Sequence, residues 1–506
     1  MRSSTLLPFL ALLPPISCSD GLVVKTTVGT LHGFINASSP LVRQFLGVPY
    51  AEPPLGALRF APPRSLAAPD ARTTVAIHAT SFAPSCMQQG SNSSTIYTAQ
   101  VPQFLISDGT TSEDCLYLNV WAPAAGATIA ARAPVPVFVY IPGGGFTSGG
   151  ANSIAKFPDR WIQRTQGHIV VVINYRVNVF GFPNAKGLED LNPGLLDQRK
   201  ALEWVRDNIA SFGGDPSRIT LWGQSAGGAS VGSYGYAYPS DPIVTSLIYD
   251  SGSAELLVSS DASQSNFTFL AGRVGCGGLA AAPELDCMRN VSAVTIENAL
   301  SSYAISGARP SLGFTPFPDN KTAFSNTTDR AVRGLLAKIP AILGSNTNEG
   351  AGFVTYTPEG PGAETLLALT QSIIACPVAR DVRNRNLIGL PTYRYQYAGN
   401  FSNLSPAPWM GAYHSAELPL LFGTHDQVFN GPSSALEYNV SYTMQALWLA
   451  FASNPEAGPA SRSADTGYFA WPEYRQGNGS DMLLLASGET VQQLVSGERI
   501  DADCEF

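Results

Sequence analysis

The apolar residues of this chain fall in short blocks rather than long stripes. Val135 to Ile141, Ile169 to Asn174 and Ile219 to Trp222 lack polar alternation, as expected of strands buried on both faces of a parallel sheet. Between the last two, Leu196, Leu202, Trp204, Val205 and Ile209 recur near helical spacing, and Gly213-Gly214-Asp215-Pro216 ends the run. This predicts a helix from about Leu196 to Ser211. The segment from Gly21 to Arg43 alternates instead, through Leu22-Val23-Val24 and Gly29-Thr30-Leu31-His32-Gly33-Phe34, which predicts a small antiparallel hairpin. Ile339 to Gly344 and Thr392 to Tyr397 read as later strands. Strand, helix, strand, tight turn and helix in succession is an α/β order. The Ala-rich stretch from Ala122 to Ala133 reads as a surface loop, and no internal repeat or coiled coil is visible.

A chain of 506 residues has ample material for a core, and its 38 prolines imply many short elements joined by loops. Length alone fits one large domain as well as two. The formal charge of -8, with no run of Lys or Arg, argues against nucleic acid or an anionic membrane surface, since both need clustered positive charge. A neutral small molecule suits this surface better.

The N-terminus carries Arg2, an apolar run from Leu6 to Leu13, and small residues Ser17, Cys18 and Ser19 before Asp20. That order predicts a cleavable signal peptide over residues 1–19 and a secreted product. The apolar stretch is too short to span a bilayer, and Val491 to Phe506 is too polar for a C-terminal anchor. Without Cys18, the cysteines are Cys86, Cys115, Cys276, Cys287, Cys376 and Cys504. Six cysteines pair in fifteen ways. Local pairing favours Cys86 with Cys115 and Cys276 with Cys287, leaving Cys376 with Cys504; none has a metal-site C-x-x-C spacing. Sequons at Asn36, Asn92, Asn266, Asn290, Asn320, Asn326, Asn400, Asn403, Asn439 and Asn478 predict surface asparagines open to glycosylation in the secretory route.

The chemistry centres on Gly223-Gln224-Ser225-Ala226-Gly227, directly after the third apolar run. A serine hydroxyl is inert at neutral pH unless a base takes its proton, and Gly-x-Ser-x-Gly after a strand is the turn that thrusts serine out toward one. The base must come from His32, His78, His168, His414 and His425. Of these, His414 fits the chain order Ser, acid, His, with His425 as competitor. Glu349, in the loop after the Ile339 strand, has the right order for the acid; Glu417 is a rival. Pro142-Gly143-Gly144-Gly145-Phe146 follows a strand, and three glycines in a row are entropically expensive unless backbone must approach a ligand closely.

Longer motifs carry a resemblance. They are Phe45-Leu46-Gly47-Val48-Pro49-Tyr50-Ala51-Glu52-Pro53-Pro54, Glu113-Asp114-Cys115-Leu116-Tyr117-Leu118-Asn119-Val120, and the block from Gly194-Leu195-Leu196-Asp197-Gln198 to the Ser225 turn. With these, the chain resembles the type-B carboxylesterase/lipase family, which includes cholinesterases and secreted fungal lipases. The resemblance implies a single α/β-hydrolase domain over residues 20–506: a large, mostly parallel central sheet flanked by helices, with the hairpin at its start. It also implies Ser225 as nucleophile, Glu349 as acid and His414 as base, with oxyanion N–H groups from Gly144, Gly145 and Ala226. The first two disulfides match the family's, and it adds ion pairs from Arg59 to Glu113 and Arg176 to Asp197. Two positions depart from the family: Gln224 where Glu is usual, removing a charge beside the nucleophile, and Pro142 where many relatives have His or an aromatic.

The implied function is hydrolysis of a small-molecule ester through an acyl-enzyme, needing no metal or organic cofactor, with activity rising as the imidazole loses its proton. Alternatives remain open. Ile96, Tyr97, Val101, Phe104, Leu105 and Ile106 in the Cys86–Cys115 loop suit either a lid of a triacylglycerol or sterol-ester lipase or a simple cover for the core. An acyltransferase or transesterase of secondary metabolism would keep the same triad, whereas a non-catalytic adhesion relative would have lost Ser or His. Oligomeric state and acyl preference are not legible in the chain.

Overall fold

A computed structural model describes residues 21–67, 75–88, 94–107, 109–125, 133–256, 258–463, 467–477, 481–502 and 504. The predicted signal segment lies outside them. Eleven strands form the main sheet: β1 (Phe34–Ile35), β2 (Val42–Pro49), β3 (Tyr117–Pro123), β4 (Val135–Ile141), β5 (Ile169–Ile173), β6 (Gly214–Gln224), β7 (Ser246–Asp250), β8 (Ala341–Asn346), β9 (Thr392–Tyr397), β10 (Asp481–Ser487) and β11 (Thr490–Ser496). Their order is β11-β10-β9-β8-β7-β6-β4-β5-β3-β2-β1. From β5 through β10 all neighbours run parallel, and the antiparallel pairs lie outside that block. This mostly parallel sheet flanked by helices is the α/β-hydrolase architecture.

The unbroken apolar runs are explained by what covers them. In β4, Val135, Val137, Val139 and Ile141 enter one hydrophobic cluster while Phe138 and Tyr140 enter another. β5 divides the same way, Ile169, Val171 and Ile173 against Val170 and Val172. Helices shield both faces, so no position in these strands tolerates water. Helix α1 (Pro193–Asn208) starts earlier than its apolar spacing suggests, because Pro193 suits the first turn, where no backbone N–H is needed. It runs into a 3-10 turn over Ile209–Phe212 that Gly213 closes at φ 92°. Helix α2 (Ala226–Ala237) follows the Ser225 turn. Helix α3 (Ala435–Ser453) begins with a capping box between Ser434 and Glu437 and buries Val440, Met444, Leu447, Trp448 and Phe451 on one face.

Several expectations change on contact with the fold. The N-terminal hairpin, Val23–Thr26 with Gly29–His32, is joined by a third, parallel strand at Ala76–His78. The Ala-rich stretch is not loop from its first residue: Ala122 and Pro123 complete β3 and are buried against β2, and 126–132 lie outside the described residues. Among the sequon asparagines, Asn36, Asn290, Asn320, Asn326, Asn400 and Asn439 are exposed, Asn266 is half-buried, and Asn92 and Asn478 lie outside the described residues. Asn403 corrects the surface expectation. It is buried, and its amide donates to Glu437 Oε1 at 2.9 Å and to His425 O and Ser433 Oγ at 3.3 Å. A glycan there would break all three.

Disulfides join Cys86 to Cys115, Cys276 to Cys287 and Cys376 to Cys504. Arg59 grips Glu113 with two 2.6 Å hydrogen bonds. Arg176 grips Asp197 at 2.8 and 2.7 Å, with both side chains buried. Because the Asp197 carboxylate also accepts from the Arg176 backbone N–H at 3.1 Å, its removal strands a buried guanidinium. We expect Asp197→Ala to cost about 3–5 kcal/mol in urea unfolding, and Arg176→Met with Asp197→Leu to recover much of it. A single substitution as mild as the double one would show that the pair is not the source.

Candidate active site

The strand β6 ends at Gln224, and Ser225 leaves it at φ 59° and ψ −125°. For a residue with a side chain this is a sparsely populated, strained conformation, of the kind concentrated at functional sites. The turn is held by Ser225 N–H donating to Asp250 O at 2.9 Å and by Ala229 N–H donating to Ser225 O at 2.8 Å. The flanking glycines are steric requirements: a Cβ on Gly223 would lie 2.3 Å from Gly227, and one on Gly227 would lie 2.0 Å from Ile141 O. Strand and helix meet this closely only without side chains there.

Glu349 and His414 converge from later in the chain. Glu349 begins a short turn after β8, and His414 lies in the irregular segment between β9 and the Leu418–Phe422 helix. His414 Nδ1 and Glu349 Oε2 are 2.6 Å apart. The other carboxylate oxygen, Oε1, accepts from Ser251 Oγ and from the Asn346 backbone N–H, each at 2.6 Å. With Ser251 and Asn346 donating to Oε1, Oε2 is left as the acceptor for a proton on His414 Nδ1, the tautomer that leaves Nε2 as the lone-pair nitrogen. That nitrogen lies 3.2 Å from Gln224 Nε2. His414 Nε2 is thus beside the residue preceding Ser225. Among the described residues no hydrogen bond joins it to the Ser225 hydroxyl itself. Ser225 is 8% exposed and Glu349 fully buried.

Ahead of this cluster, Gly144 O accepts from the N–H groups of Thr147 and Ser148 at 3.1 and 3.0 Å, curling the glycine loop back on itself. Gly144 has φ 130°, and a Cβ there would meet Ser148 O at 2.1 Å. A Cβ on Gly143 would lie 2.9 Å from the Ser225 Cβ, so the loop passes directly over the Ser225 turn. Ala226 opens α2, where first-turn amides have no intrahelical acceptor and carry the positive end of the helix dipole.

The competing candidates have other partners. His425 Nδ1 is 2.8 Å from Ser433 Oγ and 3.4 Å from Glu437. His168 is buried against Trp161 and Phe138, and burial pushes its pKa down to about 3. His32 and His78 face each other in the small sheet. Glu417 takes a hydrogen bond from the Asn346 side chain. Burial, and after it the charges of Asp250 and Glu349, raises its carboxyl well above the usual range. Asp250 is pushed up to about 7, mainly by burial, and is held by Trp222 Nε1 and by the Tyr395 hydroxyl at 2.8 Å.

Some site residues carried no signal in the sequence. Ser251 follows β7 without any motif, yet it fixes Glu349. The half-exposed ring of Phe353 lies 4.7 Å from the His414 ring. Tyr97, proposed only as lid or cover, donates its hydroxyl to the His414 carbonyl at 2.5 Å. The Gly-x-Ser-x-Gly periodicity points only along the chain, and these contacts come from segments distant in sequence.

Residues 20–367 and 362–502 match the profile of the carboxylesterase family. The sequence is 57% identical over 493 residues to a chlorogenic acid esterase of Aspergillus niger, covering 96% of this chain and 94% of that one. It is 39% identical to secreted lipase 5 of Gibberella zeae, covering 97% of this chain and 95% of the lipase. An acetylcholinesterase of Bungarus fasciatus is 30% identical, over 90% of this chain and 81% of the other.

Proposed function

The chain belongs to the carboxylesterase family and is a carboxylic ester hydrolase, and from that premise we propose that it is a secreted serine esterase with Ser225, His414 and Glu349 as its triad. The observation that carries this reading is the imidazole held between the Glu349 carboxylate and the Ser225 turn, Nδ1 at 2.6 Å from one and Nε2 beside the other. Ser225 Oγ attacks the ester carbonyl carbon while His414 Nε2 takes its proton. The carbonyl oxygen becomes an oxyanion facing the N–H groups of Gly144, Gly145 and Ala226, each donor being worth about 100- to 1000-fold in rate. Collapse breaks the C–O bond, and His414 returns the proton to the leaving alcohol. Water then repeats the cycle on the acyl-enzyme and frees the acid. Glu349 keeps the proton on Nδ1 and stabilises the transient imidazolium.

Residues 1–19 act as a leader and 20–506 as one domain in this reading. The three disulfides suit an oxidising compartment, and one relative is named a secreted lipase. Among the described residues no helix is long and apolar enough to cross a membrane.

For substrate, we take a relative 57% identical to this chain, a chlorogenic acid esterase, as the guide and assign an aromatic-acyl ester of that kind. A lid-gated lipase fits less well, because residues 94–107 of the Cys86–Cys115 loop are fastened where a lid must swing. Ile96 and Val101 are buried in the core. Tyr97 is bonded to the His414 carbonyl, Gln100 Nε2 donates to the Tyr356 hydroxyl at 2.6 Å, and Ser153 Oγ donates to the carbonyls of Gln103 and Phe104 at 3.1 and 3.0 Å. Opening would cost these contacts and move the backbone of the base. We therefore expect cleavage of chlorogenic acid and of short p-nitrophenyl esters, with no rise in rate as an ester passes its solubility limit into emulsion. A jump at the interface, with chlorogenic acid untouched, would turn the assignment to a lipase.

A further inference from the structure

We propose that Gln224 is a positioning and specificity residue whose uncharged side-chain amide holds the reacting nitrogen of His414 between turnovers and leaves the site open to esters that carry a carboxylate. The inference rests on the triad reading above and deepens its substrate class.

With the ring proton on Nδ1 toward Glu349, only a donor satisfies Nε2, and the Gln224 Nε2 group lies at 3.2 Å. Gln224 is buried, so the contact is not in competition with bulk water. An amide has a second useful property. By turning over it offers Oε1 to the protonated ring, so one side chain serves both states of the base. A glutamate in the same place only accepts, and would favour the imidazolium. The residue also borders the reaction space: a Cβ on Gly143, at the root of the oxyanion loop, would lie 3.1 Å from Gln224 Oε1 and 2.9 Å from Ser225 Cβ. Charge placed on residue 224 is therefore felt both by the base and by the ester.

The surrounding titratable groups sharpen the contrast. Facing the imidazole and its segment are Glu349, the Tyr97 hydroxyl, and behind them Glu417 and Asp250. Burial pushes the Glu417 carboxyl well above the usual range and Asp250 up to about 7. Glu349 is the carboxylate in direct contact with the base. A carboxylate at 224 would attract cationic esters and repel anionic ones. The neutral amide avoids this, and the acid named in the relative chlorogenic acid esterase is an anion at neutral pH.

The test uses purified full-length enzyme and two aryl acetates independent of the natural substrate, 4-acetoxybenzoate and its methyl ester. In Gln224→Glu, the expected result is a kcat/KM for 4-acetoxybenzoate that falls about tenfold further than that for the methyl ester. The acid limb of the pH–rate profile moves up by about one unit in the same variant. Gln224→Met, uncharged and without a donor, lowers kcat on both esters while keeping their wild-type ratio. Equal losses on the two esters in Gln224→Glu, with an unmoved acid limb, overturn the proposal. So does a ratio shifted about tenfold by Gln224→Met, which would mean shape rather than charge; that arm needs no Glu variant, and Gln224→Asp supplies the charge if Gln224→Glu fails to fold. Loss of the triad reading is separate: it would appear as esterase activity that survives Ser225→Ala.

Discussion

Replacing Ser225 with alanine lowers kcat on p-nitrophenyl acetate by about a million-fold, the scale seen when a triad serine is removed and only the oxyanion donors and binding remain. The expectation follows from what the side chain does. Its backbone N–H anchors the turn to Asp250, and that bond survives the substitution. Among the described residues its hydroxyl makes no hydrogen bond that folding depends on, and alanine meets the same φ of 59° as serine. Thermal unfolding should therefore move little, while covalent labelling by a sulfonyl fluoride disappears. Turnover within tenfold of wild type would remove Ser225 from the mechanism and with it the acyl-enzyme.

Glu349→Gln should cost about ten-thousand-fold in kcat, comparable to neutralising the acid of a serine triad. The carboxylate accepts from His414 Nδ1 on one oxygen and from Ser251 and Asn346 on the other. An amide has one acceptor end. If its oxygen faces Ser251 and Asn346, its NH2 meets Nδ1 and forces the ring proton to Nε2, where it blocks the base. If it turns over, NH2 meets two donors in a fully buried site, an unsatisfied arrangement worth about 1–3 kcal/mol. Either arrangement loses activity, and calorimetry distinguishes them. Glu349→Asp, which keeps two acceptors but shortens the reach, should fall between. A glutamine variant with nearly wild-type kcat would show that the acid orients nothing.

How far the chain announces this site can be judged residue by residue. The Ser225 turn was legible because its requirements are local: a strand end, two glycines with no room for Cβ, and a helix start within a few residues. The glycine loop at Gly143–Gly145 was legible for the same reason. Glu349 was one of 38 acidic residues; chain order favoured it over Glu417, which follows His414, but only likeness to a family singled it out from the other acids. The third strand of the small sheet at Ala76–His78 and the edge strand Thr490–Ser496 escaped because each owes its shape to a partner outside its own sequence. Asn403 makes the point in reverse, since its sequon is complete and its amide is spoken for by Glu437.

By itself, then, the order of residues determined which segments must be buried on both faces, where the chain must turn sharply, and which serine is thrust from the sheet. Those depend on side-chain periodicity and backbone sterics over a few positions. Only the tertiary structure decided that Ser251 and Asn346 would aim at Glu349, that Tyr97 would hold the His414 backbone, and that Gln224 would meet His414 Nε2. Hydrogen bonds of that kind act over about 3 Å between groups up to 317 positions apart, a distance that becomes short only once the sheet has brought the ends of its strands together.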